Sequence, residues 1–248
     1  MISKAQIKDI RALHLPKFRQ IYNKFIAEGD KVCIELLKKQ KYVISDIFIT
    51  QGNESKYSIY LKEYSDIVTI VHQKDMEQMS ALKTSSSILM LLQKSEEDIS
   101  LMNIDTKSAI YLDGVQDPGN VGTIIRIADW FGVELVIRSA DSADFFNPKV
   151  VQATMGSLVN VALATATLPE LLTYNRVIYG TFMHGQNLSE TIIKNNGILV
   201  MGSEGKGIQP ENEPLINEKI TIPGAKSKIA ESLNVSIAAG IICSIWKS

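Results

Sequence analysis

The sequence predicts an α/β protein, a mostly parallel sheet flanked by helices and preceded by a small α/β domain. Three observations predict it. From residue 109 onward, short apolar runs alternate with helical segments, the pattern of strands joined by crossover helices. Before that, a less regular mixture ends in a polar, acid-rich stretch at 94–107, which sets a boundary near residue 105 and gives domains of 1–104 and 105–248. The chain has 248 residues, 45% apolar and 21% charged, enough for one large or two modest domains and incompatible with disorder over most of its length.

In the first domain, residues 3–13 and 31–40 read as helices, and 44–50, 67–71 and 87–93 as β-rich runs. In the second, 109–112 reads as a buried strand and 120–131 as a helix, with Asn120 placed to cap it by accepting from free first-turn amides. Residues 134–138 follow as a strand and 148–157 as a helix with Pro148 in its first turn, where a missing amide hydrogen costs nothing. Strands are expected near 159–163, 177–182, 198–201 and 219–222. A last helix from about 233 to 246 has Ser232 as a candidate cap, and Ala238, Ala239 and Gly240 permit close backbone packing.

The formal net charge of −1 argues against a protein that coats nucleic acid, yet the charge is unevenly spread. Residues 1–41 carry ten Lys/Arg against four Asp/Glu, whereas 42–105 carry five against ten and 106–248 eleven against thirteen. Lys4, Lys8, Arg11, Lys17, Arg19 and Lys24 would form either a patch that meets phosphates through counterion release or a solvated helical face.

No apolar run approaches the roughly 20 residues of a membrane span, and the first residues lack the apolar core of a secretory signal. Cys33 and Cys243 alone exclude a disulfide framework and a cysteine zinc site, and His14, His72 and His184 lack metal-ligand spacing. The expectation is a cytoplasmic protein with no membrane partner and no metal.

Three segments could carry chemistry. The first, Asp113-Gly-Val-Gln-Asp-Pro-Gly-Asn-Val-Gly-Thr-Ile-Ile-Arg126, is a strand end, a turn and a helix start. At 100° per residue, the apolar face of Val121, Ile124, Ile125, Ala128 and Phe131 centres about 165° from Arg126, so Arg126 points away from its own sheet. The second, Leu199-Val-Met-Gly-Ser-Glu-Gly-Lys-Gly-Ile208, runs from a buried strand into a glycine-rich loop able to present amides to a ligand. It fails the phosphate-loop spacing, and no dinucleotide fingerprint occurs elsewhere. Glu204 there is a catalytic or orienting carboxylate, or a turn residue. The third, Ile220 to Ile241, is a strand, a polar loop and the start of a helix.

Taken in order, Asp-Pro-Gly-Asn-Val-Gly-x-x-x-Arg-x-Ala, Gly-Ser-Glu-Gly-x-Gly-Ile and Ile-Pro-(x)7-Glu-Ser-Leu-Asn-Val-Ser-x-Ala resemble the SpoU/TrmH family of RNA ribose 2'-O-methyltransferases, over roughly residues 109–246. More weakly, Lys17-Phe-Arg-(x)5-Phe-Ile-Ala-Glu-Gly29 resembles the small substrate-binding domain that often precedes it. The resemblance implies a SPOUT fold with a C-terminal trefoil knot, S-adenosyl-L-methionine as cofactor, RNA (rRNA or tRNA) as substrate, and a homodimer whose subunits complete each other's sites. An Arg126 directed off its sheet suits a site at a subunit interface.

The resemblance also implies roles. Arg126 would activate the ribose 2'-hydroxyl. A guanidinium is always charged, so stabilising a developing alkoxide is easier to defend than acting as a base. Asn120 and Glu204 would position Arg126 and the ribose, and Ser232 and Asn234 match the remaining polar site residues. Gly202, Ile222 and Leu233 match cofactor-binding positions, with Met183 and Gly185 lining the same pocket. Lys17 and Arg19 are candidate RNA contacts, as are Lys226 and Lys228 in a 223–232 loop about two residues longer than in many relatives. Two other readings stand beside the enzyme: a non-catalytic RNA-binding or ribosome-assembly protein on the same fold, and a nucleotide-dependent oxidoreductase, which the missing glycine fingerprint disfavours.

Overall fold

The computed structural model describes residues 2–96, 98–101, 104–225, 227 and 229–248; Lys226 and Lys228 lie outside them. Along the chain come α1 (Lys4–Ala12), α2 (Pro16–Tyr22), β1 (Lys24–Glu28), α3 (Asp30–Lys39), β2 (Ile44–Thr50), α4 (Glu54–Tyr57), β3 (Val68–Val71), α5 (Gln73–Met79) and β4 (Ile88–Gln93). They are followed by β5 (Ala109–Asp113), α6 (Pro118–Phe131), β6 (Leu135–Arg138), α7 (Pro148–Ala153), β7 (Ala162–Thr165) and α8 (Leu168–Leu171). Last come β8 (Ile178–Asn187), β9 (Ile198–Gly202), β10 (Glu218–Thr221) and α9 (Val235–Trp246). They form two compact units that no single cut in the chain separates: 1–95 with 144–159, and 96–143 with 160–248.

The first unit is a four-stranded sheet in the order β1-β4-β2-β3, with β2 and β3 parallel and the other pairs antiparallel. Ile7, Ile10 and Leu13, from α1 and the residue after it, pack with Met76 and Met79 of α5 on Ile26, Phe48 and Leu91 of the strands. Residues 144–159 belong here because Phe146 sits 4.8 Å from Phe25, ring centre to ring centre, and Asp144 pairs with Arg19.

That pair corrects the reading of Arg19 as an RNA contact. Arg19 is 1% exposed. Its Nε donates to Asp144 Oδ2 at 2.8 Å, Nη2 forms an ion pair with the same oxygen at 2.8 Å, and Nη1 donates to the carbonyls of Leu13 at 2.9 Å and His14 at 3.0 Å. The guanidinium is consumed inside its own unit. Lys17, two residues earlier, is exposed.

The second unit is a six-stranded, wholly parallel sheet in the order β10-β8-β9-β5-β6-β7. Ala109 and Tyr111 of β5, Leu135 and Ile137 of β6 and Ile198 and Val200 of β9 join one core cluster. Side chains alternate along a strand, so Ile110, Leu112, Val136 and Leu199 face the other side, where α6 and α9 pack. Both faces are covered, which is why these strands read as continuous apolar runs.

Helix ends were less legible than helix bodies. Asp117, not Asn120, caps α6, its Oδ1 accepting from the Asn120 amide at 2.8 Å with Pro118 in the first turn. Asn234, not Ser232, caps α9, accepting from the amides of Ser236 at 2.9 Å and Ile237 at 3.3 Å. The helix expected over 148–157 stops at Ala153. Met155 takes a left-handed φ of 52°, and a 3-10 turn at Ser157–Val159 moves the following strand to Ala162–Thr165.

Candidate active site

The three motifs meet at the C-terminal ends of the parallel strands, where ligands bind in open α/β sheets. Asp113 ends β5 fully buried, and its carboxylate accepts from the Gln209 amide at 2.8 Å and Asn212 Nδ2 at 2.9 Å. Burial pushes its pKa up against those two bonds. It thereby anchors the chain just after the glycine-rich loop.

That loop is a tight turn: Ser203 and Gly207 exchange amide-to-carbonyl bonds of 2.9 Å each, leaving Glu204 exposed at its tip. Gly202 is required by space, because a Cβ there would lie 2.2 Å from the backbone of Gly207 and Ile208. Glycine at 202 therefore lets the chain fold back on itself.

A single polar chain joins the motifs. Asn120 Nδ2 donates to Glu204 Oε1, and Asn120 Oδ1 accepts from Asn234 Nδ2 at 3.0 Å. The Ser236 hydroxyl lies 3.3 Å from Asn120 Oδ1 and 2.6 Å from Asn234 Oδ1; its one proton serves one acceptor at a time, and the shorter bond goes to Asn234. The Asn120 amide is thus oriented at both ends, nitrogen to the Glu204 carboxylate and oxygen to the Asn234 amide. Ser236 was not singled out in the sequence, although it lies two residues beyond a capping asparagine, where a hydroxyl can reach the cap oxygen.

Beside this chain lies a cavity of about 890 Å³, within the size range of cofactor pockets. Its walls include Met183, Gly202, Glu204, Ile222, Ser232 and Leu233, all named from the sequence. Phe182, Ile208, Ile220 and Val235 extend the apolar lining. Apolar walls, a glycine-rich turn and a carboxylate at one side fit a mixed apolar and cationic ligand of nucleoside size. Among the described residues no group of His, Cys, Asp or Glu is arranged to hold a metal ion.

Two expected site residues stand elsewhere. Gly185 is outside the cavity lining; its Cβ would come 2.6 Å from the Lys219 carbonyl oxygen, so glycine there serves the close approach of β8 and β10. Arg126 is exposed on α6 and has no hydrogen-bond or ion-pair partner among the described residues, Asn120 and Glu204 included. The two residues lie about 9 Å of rise and about 120° of rotation apart on α6, and among the described residues no hydrogen bond joins Asn120 to Arg126.

A sequence model of the SpoU rRNA methylase family matches residues 107–244, and one of the MRM3-like substrate binding domain matches residues 4–90. The chain is 28% identical to RlmP, a 23S rRNA (guanosine(2553)-2'-O)-methyltransferase of Bacillus subtilis (strain 168), over 96% of this chain and 94% of that one. It superposes on a TrmH-family protein from Porphyromonas gingivalis with a TM-score of 0.85 at 36% identity, covering 100% and 98% of the two chains. An AdoMet-bound rRNA methyltransferase from Sinorhizobium meliloti superposes with a TM-score of 0.87 at 25% identity, covering 99% and 96%. With its three motifs joined at one cavity and the family match spanning more than half of its length, the chain belongs to the SpoU rRNA methylase family.

Proposed function

We propose that the protein transfers a methyl group from S-adenosyl-L-methionine to a ribose 2'-hydroxyl of RNA, and that the RNA is ribosomal. The observation that carries the reading is the hydrogen-bond chain from Glu204 through Asn120 to Asn234, standing beside the cavity. When bound, the cofactor supplies a methyl group on a positively charged sulfonium centre. Met183, Ile222 and Leu233 wall its apolar portions and exclude water, the backbone around Gly202 offers polar contacts, and Glu204 sets a negative charge beside it.

The ribose hydroxyl is a poor nucleophile at neutral pH, so the protein must orient it and stabilise the charge that grows on its oxygen. Asn120 and Glu204, locked together, orient. Arg126 stabilises: its guanidinium presents five donors and accepts no proton, so it acts on the developing oxyanion electrostatically. Ser232 on the cavity wall contacts the ribose or the cofactor.

A homodimer belongs to the same reading. Trp130 on α6 is 83% exposed, and α9, packed on α6, exposes Ile237 and Ile245. Arg126 lies one turn before Trp130 on the same face. A second copy covering this apolar face would dry Arg126 and direct it to the partner's cavity. Sedimentation velocity is expected to give a dimer; a monomer that still methylates RNA would remove this part. The knotted C-terminal segment and a cytoplasmic location also belong to the reading. Among the described residues no helix is long and apolar enough to cross a membrane.

The test is mass-spectrometric mapping of 2'-O-methylation on ribosomal and transfer RNA from cells with and without the gene, followed by transfer with purified protein. One ribosomal methyl lost on deletion and restored in vitro is expected. Identical maps with no transfer would favour the non-catalytic assembly protein.

A further inference from the structure

The first unit holds a basic surface that the burial of Arg19 leaves unassigned. Lys4, Lys8 and Arg11 on α1 are exposed and have no ion-pair partner among the described residues. Their spacing of four and three residues puts them within an arc of about 60° on one helix face, whereas Asp9 points about 130° away. With Ile7 of the same helix and Gln78 of α5 they line a hollow of about 260 Å³. Lys74 lies one turn before Gln78 on α5, also exposed and unpaired among the described residues.

The helix under these charges is capped and anchored in the core. Ser3 and Gln6 form a capping box at the start of α1, and Ile7 and Ile10 are buried in the sheet's core. Packing of α1 therefore fixes the backbone positions from which the cations project.

Resting on the RNA methyltransferase reading, we propose that the Lys4, Lys8 and Arg11 face of α1, continued by Lys74, binds the phosphate backbone of the RNA substrate. The surface offers cations and one amide around a shallow hollow, without an aromatic platform for a base. It therefore supplies affinity that is sensitive to salt and indifferent to sequence, which is what phosphate contacts provide. The choice of nucleotide falls to other parts of the protein.

The experiment measures binding of the full-length protein to two labelled transcripts of equal length, one from 23S rRNA and one unrelated, across a range of salt concentrations. In Lys4→Gln/Lys8→Gln/Arg11→Gln, affinity for both transcripts is expected to fall about tenfold or more near 0.1 M salt. The slope of log K against log salt should become shallower by about 2 to 3, with S-adenosylmethionine binding unchanged. Lys4→Arg/Lys8→Arg should bind as the parent does. A control with the same charge loss elsewhere in the unit, Lys31→Gln/Lys39→Gln/Lys62→Gln, should keep the parental slope.

An unchanged affinity in the α1 variant, or an equal loss in the control, overturns the proposal while leaving the methyltransferase reading intact. Wild-type protein that binds neither transcript and transfers no methyl group removes both. Circular dichroism of each variant confirms that the exposed substitutions preserve the fold.

Discussion

Arg19 in the first unit and Arg126 in the second occupy opposite physical situations. Arg19 is enclosed, with Asp144 and two backbone carbonyls satisfying its guanidinium. Arg126 stands on the surface without a partner among the described residues. The difference lies in the helices that carry them. On α6, fourteen residues long, Val121, Ile124, Ile125 and Ala128 take the inward face and leave Arg126 the outside. On α2, seven residues long, Arg19 is itself the one buried residue. A cation is a functional candidate when apolar neighbours claim the core, and a structural one when it fills the core itself.

The contrast is broken most forcefully at Arg19. Replacing it by methionine leaves the Asp144 carboxylate without its charged partner and is expected to cost about 3–5 kcal/mol of stability. Burial alone would raise the Asp144 pKa, but the Phe146 amide and the Arg19 charge outweigh it and hold the carboxyl below its usual range. A depressed carboxyl stabilises the fold above the unfolded value of about 4, and that contribution is lost as pH falls through the lower folded value. Denaturant titrations at several pH values should therefore show the deficit of Arg19→Met largest above about pH 4 and shrinking below it. A constant deficit would mean that lost packing, rather than charge, accounts for it.

At Arg126 the expected effect moves from stability to rate. Arg126→Ala should melt within about 0.5 kcal/mol of the parent. Its methyl transfer, read by incorporation of labelled methyl groups into RNA, should fall by about 10²–10³. Arg126→Lys keeps a charge but loses the planar fork, so it should fall in between. Parental rates in Arg126→Ala would end the electrostatic assignment.

A smaller effect sharpens the picture of the second unit. Asn120→Ala and Asn234→Ala each sever the chain that reaches Glu204, and their combined effect on kcat/KM should depart from additivity by about 0.5–1.5 kcal/mol. Asn234→Ala alone should also destabilise the protein by about 1 kcal/mol, because α9 loses its cap. Additive rate effects would mean that the two amides act separately.

Much of the fold was legible because its signals are local. The strand Ile44–Thr50 falls on the residues expected of it, and the parallel sheet follows from alternating strands and helices. The elements absent from the sequence reading, α2, β1, α4, α5 and α8, have four to seven residues, too few for a periodic pattern, and are set by what they pack against. In the site, the three motifs were visible one by one, and the cavity collects Met183, Gly202, Ile222 and Leu233 as expected. Gly185 stands outside that lining, and the close approach of β8 and β10 that it permits reads in a sequence like a glycine needed for a ligand.

By itself the sequence determined the α/β class, the covered parallel sheet and the outward direction of Arg126, since periodicity and chain direction act over a few residues. Tertiary structure alone decided that Arg19 is spent on Asp144, 125 residues away, and that residues 144–159 join the first unit. It also decided that Asn120 links Glu204 and Asn234, 84 and 114 residues distant. The physical reason is range: turning a helix face inward needs only neighbouring residues, whereas choosing the partner of a polar group requires the packed chain that brings the two together.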